Sequence, residues 1–291
     1  MPISNFVGEF WASMVLDFAQ KNLVYAQTGI VNRNWEGTIS QKGDKVHITG
    51  LGDVEVIDYV DGTDMADATA PDDAETLLEI TEDKAFRFLV TDKQSKQAAG
   101  DFLSPLMRKA GYRMKDKMDQ FVASLYTDAG SLVGSDASPK TPNATAGDVQ
   151  NIFNLLADCG QKLSDKSVPT DGRWIIIPPV AEALVIKELH VSGASAPGIA
   201  EGATANGRIG HLAGFDIYVS QNVPRTTVGG VSTKYKILAG TSEAITFAEQ
   251  LGMVETVRHP KQFADIVRGH NLFGAKVVQP DYLVCMTCNF S

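Results

Sequence analysis

This 291-residue chain contains few cysteines and no long hydrophobic run. The three cysteines, Cys159, Cys285 and Cys288, are odd in number and lack the spacing of a disulfide framework, which indicates a reducing compartment. No stretch approaches the roughly 18 uninterrupted apolar residues of a membrane-spanning helix, so no membrane contact is expected. Basic residues are few, because 26 Lys and Arg against 35 Asp and Glu give a net charge of −9. This charge argues against a protein that wraps nucleic acid by neutralising its phosphates.

Sequence motifs of catalysis and cofactor binding are missing as well. The five histidines are scattered, and no His-Glu-x-x-His motif, nucleophile elbow, P-loop or dinucleotide-binding glycine pattern is present. Cys285 and Cys288 form a single Cys-x-x-Cys pair, which is a poor zinc site and more typical of a packed strand. An alternative cation site consists of four loop carboxylates, Asp61, Asp64, Asp72 and Asp73. The spacing of these carboxylates differs from that of a calcium loop, so we predict no metal ligand. Because the motifs above are missing, we also predict no catalytic residue and no cofactor. A catalytic site assembled from residues that are distant in the sequence remains an alternative.

The first ninety residues combine an arm with an extended ribbon. Residues 8–26 carry apolar side chains at helical spacing, which predicts a short helix followed by an extended arm. Alternation in residues 35–60 predicts strands, and the apolar positions in residues 77–90 predict strands that return after a loop. The result is a two-stranded ribbon over roughly residues 43–84. An isolated ribbon is marginally stable in water, so it must pack on its own domain or on another subunit.

The ribbon is acidic along most of its length. Twelve carboxylates and no Lys or Arg lie between Asp53 and Asp83. Self-repulsion keeps such a segment extended unless it finds basic partners.

The clearest helical period of the chain lies between Ala98 and Tyr126. Ser104-Pro105 predicts the N-cap and first position of its regular part, which would be about 33 Å long. The polar positions of this helix are mostly basic and include Arg108, Lys109, Arg113, Lys115 and Lys117. Two interpretations stay open for them: a solvated face, or a surface that receives the acidic ribbon of a neighbouring subunit.

The remaining residues predict a compact region with short helices and strands. We expect loops at 128–147, 191–210 and 225–234, the last of which could also be a hairpin tip. The apolar periods predict helices at 149–163 and 181–189. We expect strands at 174–177, 215–219 and 235–239 and, broken at Gln279-Pro280, through the terminal segment 266–287.

The order of these elements is an arm, a long extended ribbon, one long helix, a compact region and closing strands. This order resembles that of the major capsid proteins of tailed double-stranded DNA bacteriophages, the HK97-fold family, and four groups of segments strengthen the resemblance. Residues 31–48 contain Asn-Arg-Asn-Trp-Glu-Gly and Gly-Asp-Lys-Val, which are similar to the entry from arm to extended loop. Residues 172–179 resemble the axial-domain strand before its helix. Residues 237–240 and 244–250 resemble the return to the peripheral domain, and residues 267–280 resemble the closing strands. The matches cover nearly the whole chain.

The resemblance implies an α+β, HK97-like capsid fold with an N-terminal arm, an extended β-hairpin E-loop, a long spine helix, and peripheral and axial domains. The implied division is arm 1–34, E-loop with flanking strands 35–92, spine helix and peripheral linker 93–147, mainly axial domain 148–250, and return strands of both domains 251–291.

The resemblance also implies a function: a structural subunit, not an enzyme, that forms hexamers and pentamers of an icosahedral shell around double-stranded DNA. The implied partners are copies of itself, a separate scaffolding protein, a portal protein, a decoration or cement protein, and packaged DNA bound without sequence specificity. It would be assembled in the bacterial host cytoplasm and reside in the virion capsid. The alternatives are an encapsulin-type shell protein and a soluble enzyme with an unrecognised site.

Contacts between subunits are the candidate functional sites. The hypothesis pairs an acidic run in the E-loop with the basic face of the neighbour's spine helix. The acidic run consists of Asp53, Glu55, Asp58, Asp61, Asp64, Asp72, Asp73 and Glu75. The basic face consists of Arg108, Lys109, Arg113 and Lys117.

Overall fold

A computed structural model describes residues 24–35, 45–51, 73–91, 103–145, 148–191, 208–228 and 232–290. Its helices are α1 (Leu103–Ser124), α2 (Ile152–Asp165) and α3 (Pro179–Val191). Short 3-10 helices span Leu125–Asp128 and Pro280–Tyr282. The strands form a two-stranded, a three-stranded and a seven-stranded sheet.

The seven-stranded sheet gathers strands from distant parts of the chain. They are β4 (Ser131–Val133), β5 (Trp174–Ile177), β6 (Arg208–Leu212), β7 (Phe215–Val219), β8 (Arg225–Val228), β9 (Ser232–Gly240) and β12 (Leu283–Asn289). Their order is β4-β12-β9-β5-β7-β6, with β8 paired to β9. All four residues of β5 are buried, which fits an unbroken apolar strand covered on both faces.

Helix α2 packs on this sheet through one apolar stripe. Its buried residues are Ile152, Leu155, Leu156, Cys159 and Leu163, at the spacing of a single helical face. The Asn151 side chain caps the helix by accepting a hydrogen bond from the backbone N–H of Phe153 at 2.8 Å. At the other end, the buried guanidinium of Arg173 donates to the carbonyls of Gly160, Val168 and Pro169, so it ties the last turn of α2 to the start of β5.

The three-stranded sheet packs against α1. It consists of β3 (Glu82–Thr91), β10 (Ile245–Arg258) and β11 (Ala264–Val277), all antiparallel, with β11 in the centre. The register of β10 shifts between Leu251 and Val254. Met107 of α1 lies in an apolar cluster with Val254 and Val267. This sheet and α1 form a second layer pair that continues into the main core through Phe247 and Phe273.

The ribbon is an antiparallel pair of β1 (Lys45–Leu51) and β2 (Asp73–Glu79). Lys45 pairs with Glu79 at its base, and Leu51 pairs with Asp73 at its far described end. Residues 52–72, which link these ends, lie outside the described residues. The predicted two-stranded ribbon is therefore confirmed for its paired part, whereas the segment 82–91 joins β11 in the three-stranded sheet.

Several sequence-based expectations need correction. Ser104 lies inside α1 and is not its N-cap, because the helix already begins at Leu103. The expected loop 128–147 contains β4, which pairs in parallel with β12. Strand β4 has a weak local pattern and is stabilised by a pairing partner that sequence reasoning did not supply. For residues 225–234, the hairpin alternative fits the described residues, since β8 pairs antiparallel with the start of β9. Most of the helix expected at 8–26 lies outside the described residues, and Val24, Tyr25 and Ala26 lie in turns and bends.

Candidate inter-subunit surfaces

Helix α1 separates its apolar and basic residues onto opposite faces. Met107, Met114, Met118 and Val122 are buried. The four residues of the predicted basic face, Arg108, Lys109, Arg113 and Lys117, are all exposed. The structure therefore brings these cations together on one solvent-facing surface of a rigid helix.

Lys115 does not belong to that surface, although the sequence placed it among the polar positions. It is 2% exposed and lies one helical turn from Asp119, which is 3% exposed. The buried side of α1 thus contains two ionisable side chains among its apolar residues.

The acidic run is described only in part. Asp53, Glu55, Asp58, Asp61, Asp64 and Asp72 lie outside the described residues. Asp73 and Glu75 lie in β2, where their backbones pair with Leu51 and Thr49. Whether the run reaches the basic face of another subunit stays a prediction, since one chain cannot contain that contact.

An apolar cluster fixes the base of the ribbon to the three-stranded sheet. Val46, Ile48, Leu78 and Ile80 of the ribbon segment bury against Ala248 and Leu272, and Trp35 and Val278 cover its rim. Gly274 of β11 lies where the end of β2 passes close to the sheet, because a Cβ atom on Gly274 would be 2.6 Å from the carbonyl oxygen of Glu79. This cluster sets the point from which the ribbon leaves the sheet.

Replacing Gly274 with Ala should lower the free energy of unfolding by about 1–3 kcal/mol, since the new methyl group forces backbone to move at the ribbon base. Gly29→Ala is the matched control, because the nearest atom to its new Cβ would be 3.8 Å away. Denaturant unfolding of both variants measures the difference. Equal stability of the two variants would show that the crossing is loose.

Residues 24–35 are clamped to β10 by backbone and side-chain contacts. The backbone N–H of Asn32 donates to the carbonyl of Ile245 at 2.8 Å, and the N–H of Phe247 donates to the carbonyl of Asn32 at 2.9 Å. Arg33 donates to one Glu249 carboxylate oxygen at 2.8 Å, and Asn271 donates to the other at 2.8 Å. The Arg33 guanidinium also lies 5.3 Å from the ring centre of Phe247.

A second anchor holds the same segment on α1. The Asp119 carboxylate accepts hydrogen bonds from the backbone N–H of Val24 at 3.1 Å and of Ala26 at 3.5 Å. Burial raises the pKa of Asp119 to about 6, against the opposing effect of the backbone donors, including that of Tyr25. Tyr25 is fully buried, and burial also raises its pKa. Sequence reasoning missed both anchors. The available signals were an acidic residue, Asp119, within the apolar stripe of α1, and the consecutive residues Asn32 and Arg33.

A family model described as phage capsid protein matches residues 74–286, well over half of the chain. The chain belongs to the phage capsid protein family. No curated protein matches it at the level of sequence.

Solved structures agree with this membership. A chain from Mycobacterium phage Che8 is similar over 91% of both chains, with 26% identity and a TM-score of 0.69. The capsid of Ralstonia phage GP4 is similar over 94% of this chain and 91% of the other, at 13% identity and a TM-score of 0.68. The encapsulin SrpI of Synechococcus elongatus is less similar, with 15% identity, coverage of 85% and 83%, and a TM-score of 0.54.

The α+β, HK97-type capsid fold expected from the sequence is therefore confirmed, as is membership among tailed-phage capsid proteins. This capsid protein is a structural shell subunit that associates with copies of itself and resides in the virion capsid. The clamps at Asp119 and Glu249 fix the start of its described chain to α1 and to β10.

The three cysteines of the capsid protein are buried in its core. The Cys159 thiol lies 3.8 Å from the sulfur of Met286. Burial raises the pKa of Cys285 to about 11 and of Cys288 to about 12, and it also raises that of Cys159. The packed strand predicted for Cys285 and Cys288 is confirmed as β12, where both side chains are buried.

Within the described residues, no three His, Cys, Asp or Glu side chains come together in a way that could hold a metal ion. In the same part of the chain, no helix is long and apolar enough to span a membrane.

Thiol reagents should barely react with the native capsid protein at pH 8, because its thiols are buried and protonated. Three thiols per chain should react once denaturant unfolds it. Absorbance of released thionitrobenzoate measures the rate and the stoichiometry. Rapid labelling of one thiol without denaturant would contradict the buried positions.

Proposed function

We propose that copies of this capsid protein form hexamers and pentamers that close into an icosahedral shell around double-stranded DNA. The observation that carries this proposal is the family match across residues 74–286, together with a fold that resembles phage capsid chains over nine-tenths of its length. The net charge of −9 supports it, because a weakly repulsive wall does not bind its DNA tightly.

The proposed division of the chain follows the expected one: arm 1–34, E-loop region 35–92, spine and linker 93–147, mainly axial residues 148–250 and return strands 251–291. The pairing of α1 with the three-stranded sheet supports a peripheral unit. The packing of α2 on the seven-stranded sheet supports an axial unit.

The acidic run of one subunit is proposed to contact the basic face of the next. Four exposed cations on one helix face and two described acids, Asp73 and Glu75, on the ribbon support this contact. A single exposed ion pair contributes only about 0–1 kcal/mol, so the contact would matter through repetition over the shell and would weaken with salt.

The proposed partners beyond copies of itself are a separate scaffolding protein, a portal protein, a decoration or cement protein, and packaged DNA bound without sequence specificity. Assembly would take place in the host cytoplasm. The role is structural, and no catalytic step is proposed.

An encapsulin shell is the alternative with the same fold. The family model and the higher similarity to phage chains favour a phage capsid. The contents of the particle test this preference, because the proposed phage shell encloses double-stranded DNA.

Electron microscopy of the purified chain, alone and co-expressed with candidate scaffolding proteins, tests the proposal. We expect closed shells, tubes or five- and six-membered rings, and nuclease-protected DNA in particles from infected cells. Small closed oligomers under both conditions would refute the shell function.

A further inference from the structure

Two neighbouring residues of β10 lie on opposite faces of the three-stranded sheet. Ala248 lies on the outer face, where it is buried in the apolar cluster at the ribbon base. Glu249 lies on the inner face, because successive side chains of a strand alternate between the two faces. Helix α1 covers this inner face, since its Phe121 ring packs edge-on against Phe273, the residue paired with Glu249. One stretch of β10 thus contacts the ribbon on one face and the α1 side of the protein on the other.

Residues 32–35 follow the edge of β10 that β11 does not occupy. The backbone of Asn32 bridges to β10 through two hydrogen bonds of 2.8 and 2.9 Å. A turn follows, in which the N–H of Asn34 donates to the Asn32 side-chain oxygen at 2.9 Å. After the turn, Trp35 packs on the apolar cluster at the ribbon base. The chain therefore passes from the Arg33 contact on the inner face to the ribbon on the outer face.

Arg33 is held on the inner face by one carboxylate and one aromatic ring. Its guanidinium donates to Glu249 at 2.8 Å and lies 5.3 Å from the ring centre of Phe247, which is 6.3 Å from that of Phe273. Asn271 donates to the second oxygen of Glu249 at 2.8 Å, which fixes the orientation of the carboxylate. The side chains of the ion pair are only 20% and 10% exposed, so solvent screens it less than a surface pair.

We propose that Arg33 is a positioning residue that sets the direction in which the ribbon leaves the sheet. Through Glu249 it anchors the turn that lays Trp35 on the ribbon base. The apolar cluster alone does not specify that direction, because the hydrophobic effect is non-directional. A charge-assisted hydrogen bond and a backbone bridge supply the directional constraint. The inference rests on the proposed function in one respect, since a defined direction matters for assembly only if the ribbon must reach a neighbouring subunit.

The distance between a spin label on the ribbon and one on the sheet tests the inference in the full-length chain before it assembles. Thr49→Cys in β1 and Thr256→Cys in β10 provide the labelling sites, because the native thiols are buried. Double electron–electron resonance should give one narrow distance distribution. Arg33→Met should broaden this distribution and shift its centre, since the turn before the ribbon loses its anchor. If the ribbon then holds the productive direction for about a tenth of the time, the concentration needed for assembly rises about tenfold.

Two further variants show whether the effect is local. Arg258→Met is the matched control, because it removes another ion pair of β10, with Asp265 at 3.0 Å, at the end of the strand away from the ribbon. It should leave the label distances unchanged. Trp35→Leu weakens the contact with the ribbon base but keeps the Arg33 ion pair, and it should broaden the distribution as Arg33→Met does.

Combining Arg33→Met with Glu249→Gln separates a positioning role from a stabilising one. The double variant leaves no unpaired buried carboxylate, and the new amide oxygen still accepts from Asn271, so the thermal midpoint should recover relative to Arg33→Met alone. The distance distribution should stay broad, because the directional contact is still missing. A double variant that recovers both the midpoint and the narrow distribution would overturn the inference.

The two levels of the proposal fail differently, because the label distances are measured in unassembled chains. Unchanged distances in Arg33→Met, in a chain that still forms shells, would overturn the positioning role and leave the proposed function intact. A broadened distribution in Arg33→Met and Trp35→Leu, in a chain that never assembles under any condition, would support the positioning role and refute the shell function.

Discussion

Reversing two charges on the basic face, with Arg108→Glu and Arg113→Glu together, should stop shell assembly at low salt while the subunit stays folded. Both side chains are exposed, so the folding cost is small, within about 0.5 kcal/mol per site. At each subunit contact, however, attraction to the acidic run becomes repulsion. Although each pair contributes little alone, we expect the concentration needed for assembly to rise at least about tenfold.

Light scattering and electron microscopy across a salt series measure this effect. The matched control is Lys162→Glu with Lys187→Glu, which makes the same change in net charge at exposed positions of α2 and α3. Adding Asp73→Lys and Glu75→Lys to the double variant should restore part of the assembly. If the reversed variant assembles as readily as the wild-type chain at every salt concentration, the acidic run has another partner.

Removing the buried carboxylate of Asp119 should produce the largest loss of stability. Asp119→Ala leaves the backbone N–H groups of Val24, Tyr25 and Ala26 without their acceptor in a buried site. The cost of unsatisfied buried donors outweighs the relief of burying one charge less, so we expect a loss of about 3 kcal/mol at pH 7. Asp116→Ala, one turn away on the same helix and only half-buried, should cost much less.

The same carboxylate gives a pH dependence whose sign tests the balance between burial and hydrogen bonding. The folded pKa of about 6 is above the ordinary aspartate value of 3.8, so the folded state binds a proton more readily than the unfolded chain. The contribution of Asp119 to stability is therefore greatest below about pH 4 and is lost as the pH rises through 6.

Asp119→Asn, which does not titrate, isolates this effect. The free energy of unfolding of the wild-type chain minus that of this variant should increase by about 1.4 kcal/mol from pH 7 to pH 5. Denaturant unfolding at both pH values measures it. A difference that narrows on acidification would mean that the backbone donors outweigh burial and that the pKa is lowered.

Local patterns predicted the helices and the buried strands well. The apolar period of 98–126 predicts α1, and Trp174 to Ile177 is a strand because four consecutive bulky apolar residues suit a position covered on both faces. The ribbon was predictable because alternation continues on both sides of a polar loop. The pairing of β4 with β12 was not predictable, since three residues carry too little pattern to identify a partner 153 positions away.

The candidate surfaces, too, could be predicted from the sequence only in part. The spacing of Arg108, Lys109, Arg113 and Lys117 placed them on one helix, and the structure brings them to one exposed face. Lys115 could not be separated from them by composition alone, because its burial depends on what packs against α1. The acidic run stays a prediction as a contact surface.

The sequence by itself determined the family, the fold class, the acidic character of the ribbon and the basic character of the long helix, since these depend on composition and short-range period. Only the tertiary structure decided which polar residues are buried and what they hold. Glu249 joins Arg33 to Asn271, and Asp119 holds the turn around Tyr25, through contacts between residues some 22 to 216 positions apart. Strand register has the same origin, because the burial of one sheet face selects a pairing that no local pattern specifies.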